Sequence, residues 1–283
     1  MMRILVTNDD GYTAGGVKAL VEILRPYGDI TVIAPKYHQS ATSMAVTMGL
    51  KPIAVKKLSE APGEIWYYVD GTPASCVKYG IDEVFTDTLP DLVVSGINHG
   101  ANCASAALYS GTLGATQEAA LAGIPAIGVS LDNMSPTADF TVVKQLFPSL
   151  LDKMLPQLST RFGVYYNVNF PDLDASEVKG VKVTRQGIVH WLKEFEPYDY
   201  DIFQKLGTTP QKMGITMMPE VEPGEEVYIM KGQLVNDPRN AEDADHVVLK
   251  QGWITLEAHN IINTDEAETA RLRSLGFDKD FKA

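Results

Sequence analysis

Two adjacent carboxylates, Asp9 and Asp10, follow a short apolar run near the start of the chain, Arg3 to Thr7. Their charges repel each other, and a bound divalent cation would offset that repulsion. Carboxylate oxygens without soft ligands suit Mg²⁺, Mn²⁺ or Ca²⁺, so the pair predicts a site for such an ion. Asn-Asp-Asp-Gly is also ordinary turn chemistry, and an exposed turn is the alternative from these residues alone.

Two further apolar runs also end in polar loops. The run from Ile30 to Ala34 precedes a loop that contains Ser40, and the run from Asp91 to Ser95 precedes Asn98 and Asn102. Asparagine offers an amide oxygen as a neutral metal ligand or an amide N–H as a donor to phosphate. Simple loop capping is the alternative for both asparagines.

A candidate anion site lies at Tyr109-Ser110-Gly111-Thr112, directly before a stretch rich in helix formers. Hydroxyls and free backbone N–H groups meet at a helix start, where the helix dipole favours negative charge. A Ser or Thr that merely caps the helix is the alternative. The Walker and dinucleotide glycine motifs and Gly-x-Ser-x-Gly are absent from the sequence, so those site types are not indicated.

The elements that must position these loops alternate between apolar strands and helices over the first 130 residues. This alternation predicts an α/β fold with a Rossmann-like, doubly wound and mostly parallel sheet. Ligands in such sheets bind beyond the carboxyl ends of the strands, so the three loops should converge at one edge. The spacing also predicts helices over 74–85 and 142–158, the second interrupted or ended by Pro148 and Pro156.

The second half of the chain has a different pattern, with short strands and many Tyr, Pro and Gly. We interpret residues 1–283 as a single domain with a core over about 1–185. The remainder, about 186–283, is predicted to be an extension of β-hairpins and a short helix.

The composition limits the partners. Lys plus Arg is 24 and Asp plus Glu is 36, so the formal net charge is -12. This charge disfavours duplex nucleic acid and anionic membranes, but a metal ion can still allow a small phosphorylated substrate. The N-terminus does not resemble a signal peptide and no apolar run approaches the length of a membrane span, so we expect a cytoplasmic protein with Cys76 and Cys103 reduced.

Five motifs in the same order resemble the SurE (survival protein E) family of metal-dependent 5'/3'-nucleotidases. They are ILVTNDDGYTAGG, VIAPKYHQSATS, DGTPASCVKYG, PDLVVSGINHGAN and YSGTLGATQEAALAGIPAIGVS. The resemblance covers about the first 130 residues nearly continuously, and the order and spacing of the motifs make it specific. The chain departs from the family pattern at Ala41, in the loop CASAAL after Asn102 and at Ser75.

The resemblance implies hydrolysis of phosphomonoesters, typically nucleoside monophosphates, with the choice between 5'- and 3'-monophosphates open. It also implies one divalent metal ion per subunit and an extension that exchanges between subunits of a homodimer or homotetramer. It places catalytic roles on Asp9, Asp10 and Asn98. The metal ligands carry over to Asp9, Asp10, Ser40 and Asn98. The residues on the phosphate side carry over to Asn8, Asn102, Ser110, Gly111 and Thr112.

The hypothesis for the mechanism is that the ion offsets phosphate charge and orients a water nucleophile, with His99 or a metal-bound water as the acid for the leaving group. Asp9 as a covalent nucleophile stays open. One alternative is a haloacid-dehalogenase-type phosphatase, which requires Asp-x-Asp where this chain has Asp9-Asp10-Gly11. Others are a non-enzymatic module that senses nucleotide or phosphate and a purely structural oligomer.

Overall fold

The computed structural model describes residues 1–49, 51–199, 201–205, 209–210, 219–230 and 232–277. The strands are β1 Met2–Thr7, β2 Gly28–Pro35, β3 Val55–Ala61, β4 Glu64–Val69, β5 Leu92–His99, β6 Ala126–Leu131, β7 Val164–Phe170, β8 Val181–Val183, β9 Val189–Leu192, β10 Phe195–Pro197, β11 Tyr228–Met230, β12 Gln233–Asn236 and β13 Ile254–Asn260. The α-helices are α1 Gly15–Leu24, α2 Pro73–Tyr79, α3 Gly111–Leu121, α4 Thr141–Met154, α5 Ile202–Lys205, α6 Asp245–Lys250 and α7 Glu266–Ser274. A π-helical turn covers Gly80–Val84, and 3-10 turns cover Ala104–Tyr109 and Leu155–Gln157.

The central feature is a nine-stranded sheet in the order β3-β4-β2-β1-β5-β6-β7-β13-β8. The six strands from β4 to β7 in this order are parallel to one another. Antiparallel neighbours flank them, with β3 against β4 and β13 against β7. The predicted fold class, a doubly wound and mostly parallel α/β sheet, is confirmed.

Helices cover both faces of the sheet because the parallel strands are apolar on both sides. Ile4 and Val6 of β1 pack with α1 and α4 on one face. Leu5 packs with α2 and α3 on the other. The chain order reverses between β1 and β5, and at such a reversal an α/β sheet opens a crevice for ligands.

The C-terminal stretch supplies two small antiparallel pairs, β9 with β12 and β10 with β11. It also supplies β13, which lies inside the core sheet between β7 and β8. The segment predicted as an extension therefore contributes one strand to the core. Among the described helices, none has the length and apolar character required to cross a membrane.

Three local predictions differ from the structure. The helix predicted over 74–85 changes to a π-helical turn after Tyr79. The helix that Pro148 was expected to interrupt runs through it to Met154, since Phe147 and Leu151 on either side are fully buried and hold that segment in place. The edge strand β3 was not predicted, because its sequence VKKLSEA is charged and mostly exposed.

Candidate active site

The loops that follow β1, β2 and β5 meet at the carboxyl edge of the sheet, next to the start of α3. The backbone N–H of Gln39 donates to the carbonyl of Asp9 at 2.7 Å, which joins the first two loops. The backbone N–H of His99 donates to Asp10 Oδ2 at 3.2 Å, which joins the first and third. The predicted convergence of three polar loops is therefore present in the structure.

Asp9 is the buried centre of this arrangement, with 3% of its surface exposed. Its Oδ1 accepts a 2.6 Å hydrogen bond from the Thr112 hydroxyl, in the first turn of α3. Burial is the main cause that raises the pKa of Asp9 to about 6, and the negative charge of Asp10 is the second. A nearby positive charge would lower that pKa again and stabilise the ionised carboxylate.

Asp10 is held by two histidines. The His99 Nδ1 lies 2.9 Å from Asp10 Oδ2, and the His38 Nδ1 lies 3.4 Å from Asp10 Oδ1. Burial alone would raise the pKa of Asp10, but the hydrogen bonds with His38 and His99 outweigh it and lower the pKa to about 2. The bond with Asp10 in turn raises the pKa of His38. Asp10 is thus a carboxylate that stays ionised.

The His99 ring is fixed on two sides. Besides its bond with Asp10, it meets the ring of Phe140 edge-on, with ring centroids 5.1 Å apart. Its Nε2 is buried and has no hydrogen-bond partner among the described residues. That nitrogen is the atom that the hypothesis of a leaving-group acid requires.

The start of α3 forms the candidate anion site. Ser110 is the N-cap, and its side chain accepts a hydrogen bond from Leu113 N at 3.1 Å. The Ser110 hydroxyl therefore caps the helix, and the Thr112 hydroxyl is engaged by Asp9. Because Leu113 N donates to the Ser110 hydroxyl, the N–H groups of Gly111 and Thr112 are the first-turn donors that an anion would meet.

Gly111 permits the close approach of Asp9 to this helix. A Cβ at position 111 would lie 2.9 Å from Asp9 Cβ, 3.0 Å from Asp9 Oδ2 and 3.0 Å from the carbonyl oxygen of Gln39. These distances are shorter than ordinary van der Waals contact. Gly111 therefore acts by leaving space, and its predicted role on the phosphate side stays a prediction.

Asn8 and Asn98 direct their amide groups in a similar way. Asn8 Nδ2 donates to the carbonyl of Gly11 at 3.0 Å, and Asn98 Nδ2 donates to the carbonyl of Gly100 at 2.7 Å. The Asn8 Oδ1 is buried and has no partner within the described residues. A buried oxygen of this kind can accept a hydrogen bond from a bound ligand or from a water molecule on a metal ion. Its position agrees with a ligand site at this edge of the sheet.

Asn102 is buried and Ser40 is exposed, and their predicted roles at the site stay predictions. Asn102 is buried in an amide network, donating from Nδ2 to Ser130 Oγ at 2.9 Å and from its backbone N–H to Asn169 Oδ1 at 2.8 Å. Ser40 is exposed, and within the described ranges its hydroxyl makes no hydrogen bond with Asp9 or Asp10.

A divalent metal fits the oxygen donors of this centre. No three His, Cys, Asp or Glu side chains in the described part of the chain are grouped as a metal site. A cation would therefore rest on the Asp9 and Asp10 carboxylates together with amide and hydroxyl oxygens, which are hard donors. Asp9 Oδ1 accepts the hydrogen bond from Thr112, so Asp9 Oδ2 is the oxygen that could bind the cation.

Sequence reasoning missed the role of His38. Its position in the loop KYHQS, two residues before Ser40, was the available signal. Phe140, which packs on His99, comes from the start of α4 and had no such signal.

Comparisons with known proteins identify the family of this chain. Residues 4–193 match the family model described as "Survival protein SurE". A "5'-nucleotidase SurE" of Christiangramia forsetii is 37% identical over 270 residues, covering 92% of this chain and 94% of the relative. Another of Syntrophobacter fumaroxidans is 44% identical over 198 residues, covering 70% and 76%.

A solved structure shows the same fold. The crystal structure of the SurE protein from Aquifex aeolicus superposes with a TM-score of 0.75 at 27% identity and covers 96% of this chain and 99% of that one. The family model matches more than half of the chain, and the relatives match most of its length. The chain belongs to the SurE family.

Proposed function

We propose that this chain is a metal-dependent phosphomonoesterase that hydrolyses nucleoside 5'-monophosphates, and also 3'-monophosphates, to nucleoside and phosphate. The observation that carries the proposal is the 2.6 Å bond from the Thr112 hydroxyl to Asp9, because it joins the carboxylate pair to the helix start that would receive phosphate. Membership of the SurE family and the 5'-nucleotidase names of its relatives support it.

The proposal includes one divalent ion per subunit, Mg²⁺, Mn²⁺ or Ca²⁺. Asp9, Asp10, Ser40 and Asn98 would hold it. When bound, such an ion would neutralise phosphate charge and orient the attacking water.

The side chains divide the remaining work. The N–H groups at the first turn of α3 hold phosphoryl oxygens, and Ser110 keeps that turn in shape by capping it. Thr112 orients Asp9, while His38 and His99 orient Asp10. His99 is the proposed donor of a proton to the leaving oxygen. Catalysis would therefore come mainly from positioning and from electrostatic stabilisation of the transition state.

Asn8 and Asn102 take supporting places on the phosphate side. Asn8 presents a buried oxygen without a partner among the described residues. Asn102 braces the loop after β5 against β6 and β7 through its network with Ser130 and Asn169.

The proposal also covers assembly and location. Exposed apolar side chains on the hairpins, Leu192, Phe195, Met230 and Leu234, support a homodimer or homotetramer built through residues of the extension, about 186–283. Light scattering after gel filtration would measure that state. A cytoplasmic location remains part of the same prediction.

The test is phosphate release from a panel of nucleoside monophosphates, measured with Mg²⁺, with Mn²⁺ and with EDTA. We expect release that EDTA abolishes and that Asp9→Asn lowers by at least ~10²-fold in kcat, since the substitution removes a charge at the reacting centre. Asp91→Asn is the matched control, because Asp91 pairs with Arg3 at the amino end of β5, far from the site. Its kinetic constants should equal those of the wild type.

The alternatives make different predictions. A sensing module would bind nucleotide without releasing phosphate, and such a result would contradict the enzyme. A haloacid-dehalogenase-type phosphatase is not supported, because the chain belongs to the SurE family and carries adjacent rather than spaced aspartates.

A further inference from the structure

A second buried carboxylate lies outside the candidate active site. Asp245, the first residue of α6, is fully buried. Its Oδ2 accepts a 2.6 Å hydrogen bond from the backbone N–H of Ala104. Its Oδ1 accepts from the backbone N–H groups of Gly187 at 3.0 Å and His246 at 2.7 Å. In the described part of the chain, neither Lys nor Arg pairs with it, so main-chain donors and His246 satisfy this charge.

These bonds join three segments that are far apart in sequence. Ala104 begins the 3-10 turn Ala104–Tyr109, which leads directly to Ser110 and α3. Gly187 lies just before β9, and the carbonyl of Arg185 accepts from the backbone N–H of Asp245 at 3.0 Å. Asp245 therefore fastens the start of the 3-10 turn to the C-terminal segment.

The backbone of Ala104 requires such a fastening. Its φ is +53°, a left-handed conformation that disfavours a residue with a Cβ. The strongest bond of Asp245 by distance is made to this residue. The charge-assisted bond offsets the strain at the one residue where the turn begins.

Two further contacts hold the same turn. Ser105 Oγ accepts from the backbone N–H of Val189 at 3.1 Å. The Tyr109 ring meets Trp191 edge-on, with centroids 5.9 Å apart. The six residues that precede Ser110 are thus held at both ends by the segment 187–191.

We propose that Asp245 is a positioning residue for phosphate binding: it fixes Ala104, and through the 3-10 turn it sets the place of Ser110, Gly111 and Thr112 beside Asp9. This inference rests on the proposed phosphomonoesterase function and deepens it. Asp245 touches no reacting atom, since its contacts are with the turn and with the C-terminal segment.

The test compares Asp245→Asn with the wild type in the full-length chain. Asparagine keeps the size of the side chain but removes its charge. Its NH₂ group donates hydrogen bonds, so it cannot accept from the backbone N–H groups around position 245. We expect the KM for a nucleoside monophosphate and the inhibition constant of inorganic phosphate to rise about tenfold, as when a second layer of contacts around a site is removed. Asp243→Asn is the matched control, because it removes a carboxylate two residues away in the same stretch, but that carboxylate is partly exposed and pairs with the side chain of Arg185. It should leave both constants unchanged.

A rescue distinguishes positioning from a general loss of stability. Ala104→Gly removes the left-handed strain, so in the Asp245→Asn background it should recover part of the phosphate affinity. If Asp245→Asn lowers the melting temperature but leaves KM and the phosphate constant within twofold of the wild type, Asp245 is only structural and the inference is wrong. If Asp245→Asn does not fold, Ser105→Ala releases the same turn, and an unchanged phosphate constant in that variant overturns the inference.

Binding of inorganic phosphate by calorimetry separates this inference from the proposed function. A wild type that binds phosphate in the presence of Mg²⁺ but turns over no substrate would refute the enzyme while the effect of Asp245→Asn on binding could still be measured. A wild type that turns over, with equal phosphate affinity in Asp245→Asn, refutes the inference alone.

Discussion

Replacing Gly111 by alanine should damage the candidate site while leaving the fold almost unchanged. The added Cβ would lie 2.9 Å from Asp9 Cβ and 3.0 Å from both Asp9 Oδ2 and the carbonyl oxygen of Gln39. Comfortable separations between such atoms are about 3.5 Å, so each neighbour must move by about half an ångström. Two of the three atoms belong to Asp9 and the third is backbone, so the strain falls on the Asp9 carboxylate and on the loop that carries Ser40.

The two effects on stability have opposite signs. Overpacking costs about 1–3 kcal/mol. The gain in helix propensity from glycine to alanine returns up to about 1 kcal/mol. The free energy of unfolding should therefore fall by about 0–3 kcal/mol, and the variant should fold.

The effect on activity should be much larger, because the 2.6 Å bond between Thr112 and Asp9 depends on this spacing. A displacement of this order in a reacting centre lowers kcat/KM by about 10²-fold. The assay is phosphate release from a nucleoside monophosphate at saturating Mg²⁺, combined with urea unfolding of the same preparation.

Gly15→Ala provides the matched control. Gly15 begins α1 as Gly111 begins α3, but a Cβ there would meet only Phe140 Cε2 at 3.5 Å, an ordinary contact. It should keep wild-type kinetics. A Gly111→Ala enzyme with wild-type kcat/KM would show that the close approach of Asp9 to α3 is not needed for the reaction.

Three more variants test separate parts of the structure. Ala41→Gly should raise the free energy of unfolding by about 0.5–1 kcal/mol, since Ala41 has a φ of +59° and glycine relieves that strain at some entropic cost. Ala45→Gly in the same loop is the control and should lower the free energy of unfolding. Urea unfolding measures both variants, and a loss of stability in Ala41→Gly would contradict the argument. Ser110→Ala should raise KM for the substrate and cost about 1 kcal/mol of stability through the lost cap on Leu113 N; an unchanged KM would remove Ser110 from the anion site. Burial and the hydrogen bond to Asp152 raise the pKa of Tyr27 to about 12. The contribution of the Tyr27 hydroxyl to the stability of the fold is therefore present below pH 10 and is lost as the pH rises from 10 to 12. Unfolding of wild type and Tyr27→Phe over this range should show the difference shrinking, and a constant difference would refute the linkage.

The parts of the fold that the sequence predicted are those where one stretch of residues determines the structure. Parallel strands buried on both faces are short apolar runs, and residues 3–7, 30–34 and 92–95 all lie in strands, so the predicted run 91–95 began one residue early. The edge strand β3 has no such run, because one side of it has no partner strand and its residues are exposed. Pro148 misled the helix prediction because burial of Phe147 and Leu151 outweighs the loss of one backbone bond.

The same distinction applies to the site. Asp9, Asp10 and Thr112 could be proposed from strand ends and a helix start, and the structure brings them together. The network around Asn102 could not be foreseen, since Asn169 comes from β7, 67 residues later. Asp245 lies 141 residues after Ala104, and only the folded chain makes them neighbours.

Under the proposed function, the charge distribution of the site would make metal and phosphate bind cooperatively. A phosphate at the start of α3 would lie close to the carboxylate of Asp9, because the Asp9 side chain is bonded to Thr112 in that first turn. The negative charges of Asp9 and Asp10 would repel it. His38 and His99 bond to Asp10, whereas Asp9 accepts a hydrogen bond from the uncharged Thr112 hydroxyl, and burial raises the pKa of Asp9 to about 6. A cation beside Asp9 changes repulsion of the phosphate into attraction, which explains how a chain with a net charge of -12 can take a phosphorylated substrate. Because binding linkage is reciprocal, phosphate must raise the affinity for the metal by the same factor by which the metal raises the affinity for phosphate.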